Sequence, residues 1–240
     1  MIPAASPIPN CLMSVPGLVE STKNANMSTS AALVTTLVCL LLAWPTAKIL
    51  ARQAGPLATT ATILIALPIF ISESVRLFGL SLFLMPGGGI LAGTADALFG
   101  VEVATILNTR LAALLGYVYI HFPFVLFPVL LGLSLVPREQ VEAARDLGAS
   151  GWQVFREVEL PLAAPGVTIG ALLCFVLSLG ANAEMSILGG QAVTVVTRAI
   201  EQRFSYAQDW PLGAALTVLV VLVTAAVVLP LLKRIDLDGL

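Results

Sequence analysis

Few side chains in this sequence could do chemistry, and most of them stand where chemistry is expensive. Glu73 and Glu184 are carboxylates at the edges of otherwise apolar runs, Arg76 follows Glu73 by three residues, and the single histidine, His121, lies within Tyr117-Val118-Tyr119-Ile120-His121-Phe122-Pro123. A carboxylate at the centre of a membrane helix costs at least about 2.5 kcal/mol, less near the interface, and a cationic solute would offset that cost. With the neighbouring amide of Asn182, these residues make a candidate substrate pathway: Glu73, Arg76, His121, Asn182 and Glu184. Each also has a plainer reading. Glu73 and Arg76 are spaced to pair along one helix face, a lone histidine can face a neighbouring helix or a cavity water, and Tyr117 and Tyr119 suit interfacial anchors.

Other chemistries find no support in these residue types. One histidine cannot build a metal site alone, and Cys11, Cys39 and Cys174 lack metal-ligand or disulfide-framework spacing. Gly87-Gly88-Gly89 is not followed by the Gly-Lys-Ser/Thr of a phosphate loop. No residue is expected to be catalytic.

A second concentration of polar groups fills residues 142–161. It holds Glu142, Arg145, Asp146, Arg156, Glu157 and Glu159 between two uncharged apolar runs. Pro137 suits a first helical position, Glu139 and Glu142 favour the positive helix end, and Gly148 suits a C-terminal stop. Ser150 can cap a second short helix with Trp152, Phe155 and Val158 on one apolar face, and Pro161 is expected to end it. The pattern predicts helix, glycine turn, helix along a membrane surface, shaped to be read by a soluble partner. Ala143-Ala144-Arg145-Asp146-Leu147-Gly148-Ala149-Ser150 also has the look of a DNA-reading helix-turn-helix. Neither helix has a basic face, however, and a net charge of −2 supplies no field for nucleic acid.

The elements that must position these groups are membrane helices. Of 240 residues, 58% are apolar and 11% charged, and mean hydropathy is +0.97, which marks a polytopic membrane protein. The expected fold is an all-α membrane helical bundle of about five spans, at 31–50, 57–78, 111–137, 162–183 and 212–232. Residues 1–30, rich in proline and polar side chains, read as a loosely ordered leader, and 31–233 as the membrane domain, with its polar loop at about 138–161. If that loop is cytoplasmic, Lys48, Arg52, Arg138, Arg145, Arg156, Lys233 and Arg234 gather on its side. Lys23, Arg76, Arg110, Arg198 and Arg203 fall opposite, so the positive-inside bias puts the loop and the C-terminus in the cytoplasm and the leader in the periplasm.

The loop also carries a family resemblance. Glu142-Ala143-Ala144, Gly148 and Leu160-Pro161 resemble the EAA loop of the permease subunits of ABC importers. Ser74-Val75-Arg76-Leu77-Phe78-Gly79, Ser178-Leu179-Gly180 with Leu188-Gly189-Gly190, and Asp209-Trp210-Pro211-Leu212-Gly213-Ala214-Ala215 resemble segments of the spermidine/putrescine-type branch, so the likeness runs over about 28–233. It implies the type I importer permease fold in a bacterial inner membrane. Glu142, Ala143, Ala144, Asp146, Leu147, Gly148, Leu160 and Pro161 would then form the loop that couples to the ATPase. It further implies two ATP-binding subunits, a second homologous permease subunit and a periplasmic substrate-binding protein as partners, besides the lipid bilayer. The chain itself needs no cofactor, because ATP and Mg would sit in the partner ATPase, and this sequence has no Walker A motif.

The solute implied is a polyamine-like cation, with opines, aminophosphonates and iron carried by related permeases. Glu184 and Met185 stand where the family usually has uncharged residues or proline. The family usually has six spans, and the absence of its first before Ser28 points to a misplaced start or a truncated gene. A secondary transporter is disfavoured because no inverted repeat is visible, and a membrane-anchored regulator because the second loop helix is not basic.

Overall fold

A computed structural model describes residues 14–53, 55–85, 89–99, 106–190 and 195–232. Helix α1 runs Ser14–Arg52, α2 Pro56–Ala66, α3 Glu73–Leu84, α4 Ile90–Phe99, α5 Arg110–Ser134 and α6 Arg138–Asp146. Then come α7 (Gly151–Gln153), α8 (Leu160–Gly180), α9 (Ala183–Ile187), α10 (Val196–Ser205) and α11 (Trp210–Leu232). The described residues contain no strand. Cys11, Lys233 and Arg234 lie outside them.

Small residues make the centre of the bundle. On α1, Ala32, Thr36, Cys39, Ala43 and Ala47 recur at three- and four-residue steps and are buried, the spacing of one helix face. Cys39, Ala43 and Ala47 pack with Val125, Leu126, Val129 and Leu133 of α5 and Ala163 and Cys174 of α8, and Ala32 packs with Phe175 and Leu179 of α8. The α5–α8 crossing is closest at glycines. A side-chain carbon on Gly166 would stand 2.3 Å from the Pro128 carbonyl oxygen and 2.8 Å from Gly132 Cα, and one on Gly170 3.1 Å from the Val125 carbonyl oxygen. Two glycines four residues apart are a common solution where lipid supplies no hydrophobic drive and helices must gain contact area by close approach.

Three expectations change. The polar segment 20–30 is not loose, because α1 begins at Ser14 and carries it as one helix into the first span. The second span is not one straight helix. Pro68 lies in a tight 3₁₀ turn, Leu67–Phe70, and Ile71 and Ser72 are extended. Helix α3 then restarts with Glu73 in its first turn, so Pro56–Phe70 and Glu73–Leu84 meet at 103°. Among the described residues four helices are long and apolar enough to cross a membrane, and there are five if the bent pair counts as one span.

The third change concerns Pro161, which does not end the second loop helix. Gly151–Gly180 is one continuous helix of 30 residues. A proline ring clashes with the carbonyl four residues back and lacks an N–H. Here Val154–Glu159 widens to π geometry, with the Leu160 N–H donating to Phe155 O, so the chain passes the proline without breaking.

Replacing Gly166 with Ala should cost about 1–3 kcal/mol, the range for overpacking a tight interface. Gly79, with nothing within 4 Å of its missing side chain, should accept Ala without loss. Thermal unfolding in detergent compares the two. Equal melting temperatures would show that the α5–α8 approach is not tight.

Candidate functional site

The polar loop is built by its own backbone. At the end of α6, Gly148 N–H donates to Arg145 O at 2.9 Å, and Ala149 N–H to Ala144 O at 3.0 Å. That pair of bonds closes a helix with a left-handed residue at the turn, and Gly148 has φ +84°. No atom lies within 4 Å of where its side chain would be. Glycine is needed here for backbone angle, not for space. Ser150 and Gln153 then cap the next helix reciprocally: Ser150 N–H donates to Gln153 Oε1 at 2.8 Å, and Gln153 N–H to Ser150 Oγ at 3.3 Å.

Within this loop Glu142, Ala143, Asp146, Gly148 and Pro161 are exposed, Ala144 and Leu160 half-buried, and Leu147 is 89% exposed. An apolar side chain so placed, beside a helix with no buried residue, is an unpartnered surface. The expected apolar face of Trp152, Phe155 and Val158 does not face the core. Trp152 is exposed, and the buried positions are Val154 and Glu159. Phe155 instead bridges Trp152 and Trp44 of α1, with both ring centroids 5.0 Å away.

Glu159 is the buried charge that sequence spacing did not single out. It is buried, and each carboxylate oxygen meets a cation of α1: Oε2 takes Lys48 Nζ, and Oε1 takes Arg52 Nη2 at 2.9 Å. Two oxygens and two cations satisfy a carboxylate that burial would otherwise penalise heavily. The bridge joins the end of α1 to the π segment that leads into α8. It also walls a cleft of about 530 Å³ to which Arg138, Glu142 and Arg145 contribute.

The second set of groups gathers away from the loop. Glu184, on α9, is fully buried against Gly116 of α5, six residues in from that helix's first residue. His121 Nδ1 donates to Tyr117 O at 2.8 Å and lies 3.9 Å from Glu184 Oε1, too far for a hydrogen bond. Tyr117 OH donates to Ala181 O at 3.3 Å, which holds the chain just before α9. Arg76 is buried as well, on α3, whose Leu77 lies with Glu184 about Gly116.

Of the five residues read as a substrate pathway, the structure brings His121 and Glu184 together, with Arg76 buried on α3, whose Leu77 meets the same Gly116 as Glu184. Glu73 lies at the exposed start of α3, and no ion pair joins it to Arg76 among the described residues. Asn182 turns elsewhere, donating to Glu201 of α10 at 2.8 Å. Among the described residues no cluster of His, Cys, Asp and Glu could hold a metal ion.

Comparison with known proteins bears on the family and the fold. Residues 7–236 match the family described as binding-protein-dependent transport system inner membrane component. The spermidine/putrescine transport system permease protein PotB of Haemophilus influenzae is 31% identical over 185 residues, covering 77% of this chain and 65% of that protein. The PotB of Escherichia coli is 31% identical over 206 residues, covering 84% of this chain and 74% of that one. The molybdenum transport system permease protein ModB of Mycobacterium bovis is 29% identical over 204 residues, 85% and 75% covered. Among solved structures, a bacterial alginate ABC transporter bound to its periplasmic protein superposes with a TM-score of 0.71 at 17% identity, over 88% of this chain and 76% of that chain. At that identity the likeness speaks for the fold.

The loop geometry gives a local test. Gly148→Ala should cost roughly 1–2 kcal/mol for an L-residue held left-handed, and Gly148→Asn less. Hydrogen exchange at the Gly148 and Ala149 amides reads the turn opening. Equal protection in all three proteins would remove the conformational role of the glycine. Glu159→Gln should separately lower the melting temperature, since Lys48 and Arg52 lose their shared anion.

Proposed function

We propose a transport role from the premise that this chain belongs to the binding-protein-dependent transport system inner membrane component family. It works as the membrane permease subunit of an ABC importer in a bacterial inner membrane, and its solute is an organic cation of the polyamine class. The observation that carries the solute class is the 31% identity with PotB proteins across most of the chain. A fully buried carboxylate, Glu184, agrees with a positively charged cargo. ATP and Mg belong to two partner ATPase subunits. A second permease subunit and a periplasmic binding protein complete the machine.

The loop faces the cytoplasm in this reading. Lys48, Arg52, Arg138, Arg145 and Arg156 cluster at its end of the bundle, whereas Arg110, Arg198 and Arg203 belong to the other, as positive-inside bias requires. The exposed α6, with Leu147 beside it, is the surface that meets the ATPase. Because Gly151–Gly180 is one helix, a push on the loop is a push on a membrane span. Because Glu159 holds Lys48 and Arg52, the same push reaches α1. ATPase closure thus becomes a rigid-body movement of spans, the physical content of alternating access.

The test is reconstitution of the complete importer in liposomes with its binding protein. ATP should drive accumulation of labelled putrescine or spermidine. Gly148→Asp should abolish accumulation and ATPase stimulation while the protein still inserts. Accumulation of molybdate but neither polyamine would overturn the solute class, and full transport by the Gly148→Asp importer would overturn the coupling role.

A further inference from the structure

The two buried carboxylates of this chain are treated in opposite ways. Glu159 shows what a structural carboxylate looks like here: both oxygens are engaged by cations of one neighbouring helix. Glu184 is buried more completely, yet neither of its oxygens has a hydrogen-bond partner. Arg76, 8% exposed, also has Nε and Nη1 buried without a partner. Arg76 stands on α3 beside Leu77, which meets the same Gly116 as Glu184, and no two-bond guanidinium–carboxylate contact joins Arg76 to Glu184. Buried groups left this way are poorly compensated, so a better-fitting partner gains by replacing either one.

A second place for the guanidinium is close at hand. Glu73 lies three residues before Arg76 on α3, exposed, at the spacing of a helical ion pair. The side of Glu184 toward α5 is lined by Gly116, which adds no side chain there. A cleft of about 240 Å³ is bordered by Arg110, Tyr117 and Met185, and Tyr117 stacks on His121. An alkyl ammonium group is slimmer than a guanidinium and offers three donors to a carboxylate.

We propose that Arg76 is a resident cation that competes with the transported amine for Glu184. The amine crosses this point by taking the carboxylate while Arg76 turns to Glu73. The inference rests on the reading of the solute as a polyamine-class cation and adds which residues exchange it. Glu184 is then the specificity-determining anion, Arg76 keeps it compensated between cargoes, and Glu73 holds Arg76 during passage.

The test is equilibrium binding of labelled putrescine to the importer complex in nanodiscs without its binding protein. Arg76→Gln should tighten binding tenfold or more, and millimolar guanidinium chloride should reverse that gain while leaving the wild type unaffected. Glu184→Gln should weaken binding tenfold or more. Glu73→Gln alters an exposed site whose variant should fold, and it should weaken binding several-fold because Arg76 then has only Glu184. Weakened or unchanged binding in Arg76→Gln, or unchanged binding in Glu73→Gln, would overturn the exchange. If Arg76→Gln does not assemble, the Glu73→Gln result decides. A wild-type complex that binds and transports another solute but no polyamine would overturn the function reading as well. Wild-type binding with discordant variants would overturn this inference alone.

Discussion

The Glu159 bridge is the interaction on which the arrangement of the bundle depends. One carboxylate, removed from water, holds the end of α1 through Lys48 and Arg52 and lies on the π segment that carries the polar loop into α8. Removing a partner from a buried pair is costlier than never having made it. The bridge is therefore better understood as a device that fixes geometry than as a source of net stability. It fixes the loop to two spans, and the Trp44–Phe155 contact adds an apolar fastening at the same place. The remainder of the packing, close glycine contacts between α5 and α8 and the small-residue face of α1, lets the three helices approach closely enough to move together.

Polar groups in such a bundle carry different amounts of information according to how well they are satisfied. At the loop end every buried charge has its counterpart. Elsewhere, Glu184 and Arg76 are buried with polar atoms that have no partner, and His121, bonded to Tyr117 O, stops 3.9 Å short of Glu184. Buried polar atoms without a partner are costly, so Arg76 and Glu184 are the expensive part of the structure. A protein that keeps an expensive cluster in a membrane domain related to transport permeases has a use for it.

Local signals were legible in the sequence. Gly148, Ser150 and the acidic start of α6 marked a helix, a left-handed turn and a capped helix, and each of these forms through backbone bonds within a few residues. Glu184 was legible as costly because an isolated carboxylate in an apolar run is costly in any fold. Arg76 and His121 were named with it as one candidate pathway, but so was Asn182, which turns to Glu201. The sorting among them was not legible, since Arg76 and His121 come from helices about 110 and 60 residues earlier in the chain. Glu159 escaped because Val154 and Glu159 share the buried side at a spacing of five, a π spacing that α-helical periodicity assigns to different faces. The break after Pro68 escaped for a related reason. Counting apolar residues measures the length of a span, whereas Ser72 and Glu73 mark the start of a new helix inside it. The helix over the polar segment before Met27 was missed because composition reports exposure better than it reports backbone conformation.

The central claim is that the loop, α1 and α8 form one mechanical unit. Spin labels at Gln140 on α6 and Ile49 on α1, both at exposed positions, report on it directly in the assembled importer. The claim predicts the same distance distribution in the nucleotide-free and ATP-trapped states, and a distribution that shifts with nucleotide once Glu159 is replaced by Gln. A wild-type distance that changes between the two states would contradict it, because the loop would then move independently of the span that Glu159 is held to fasten.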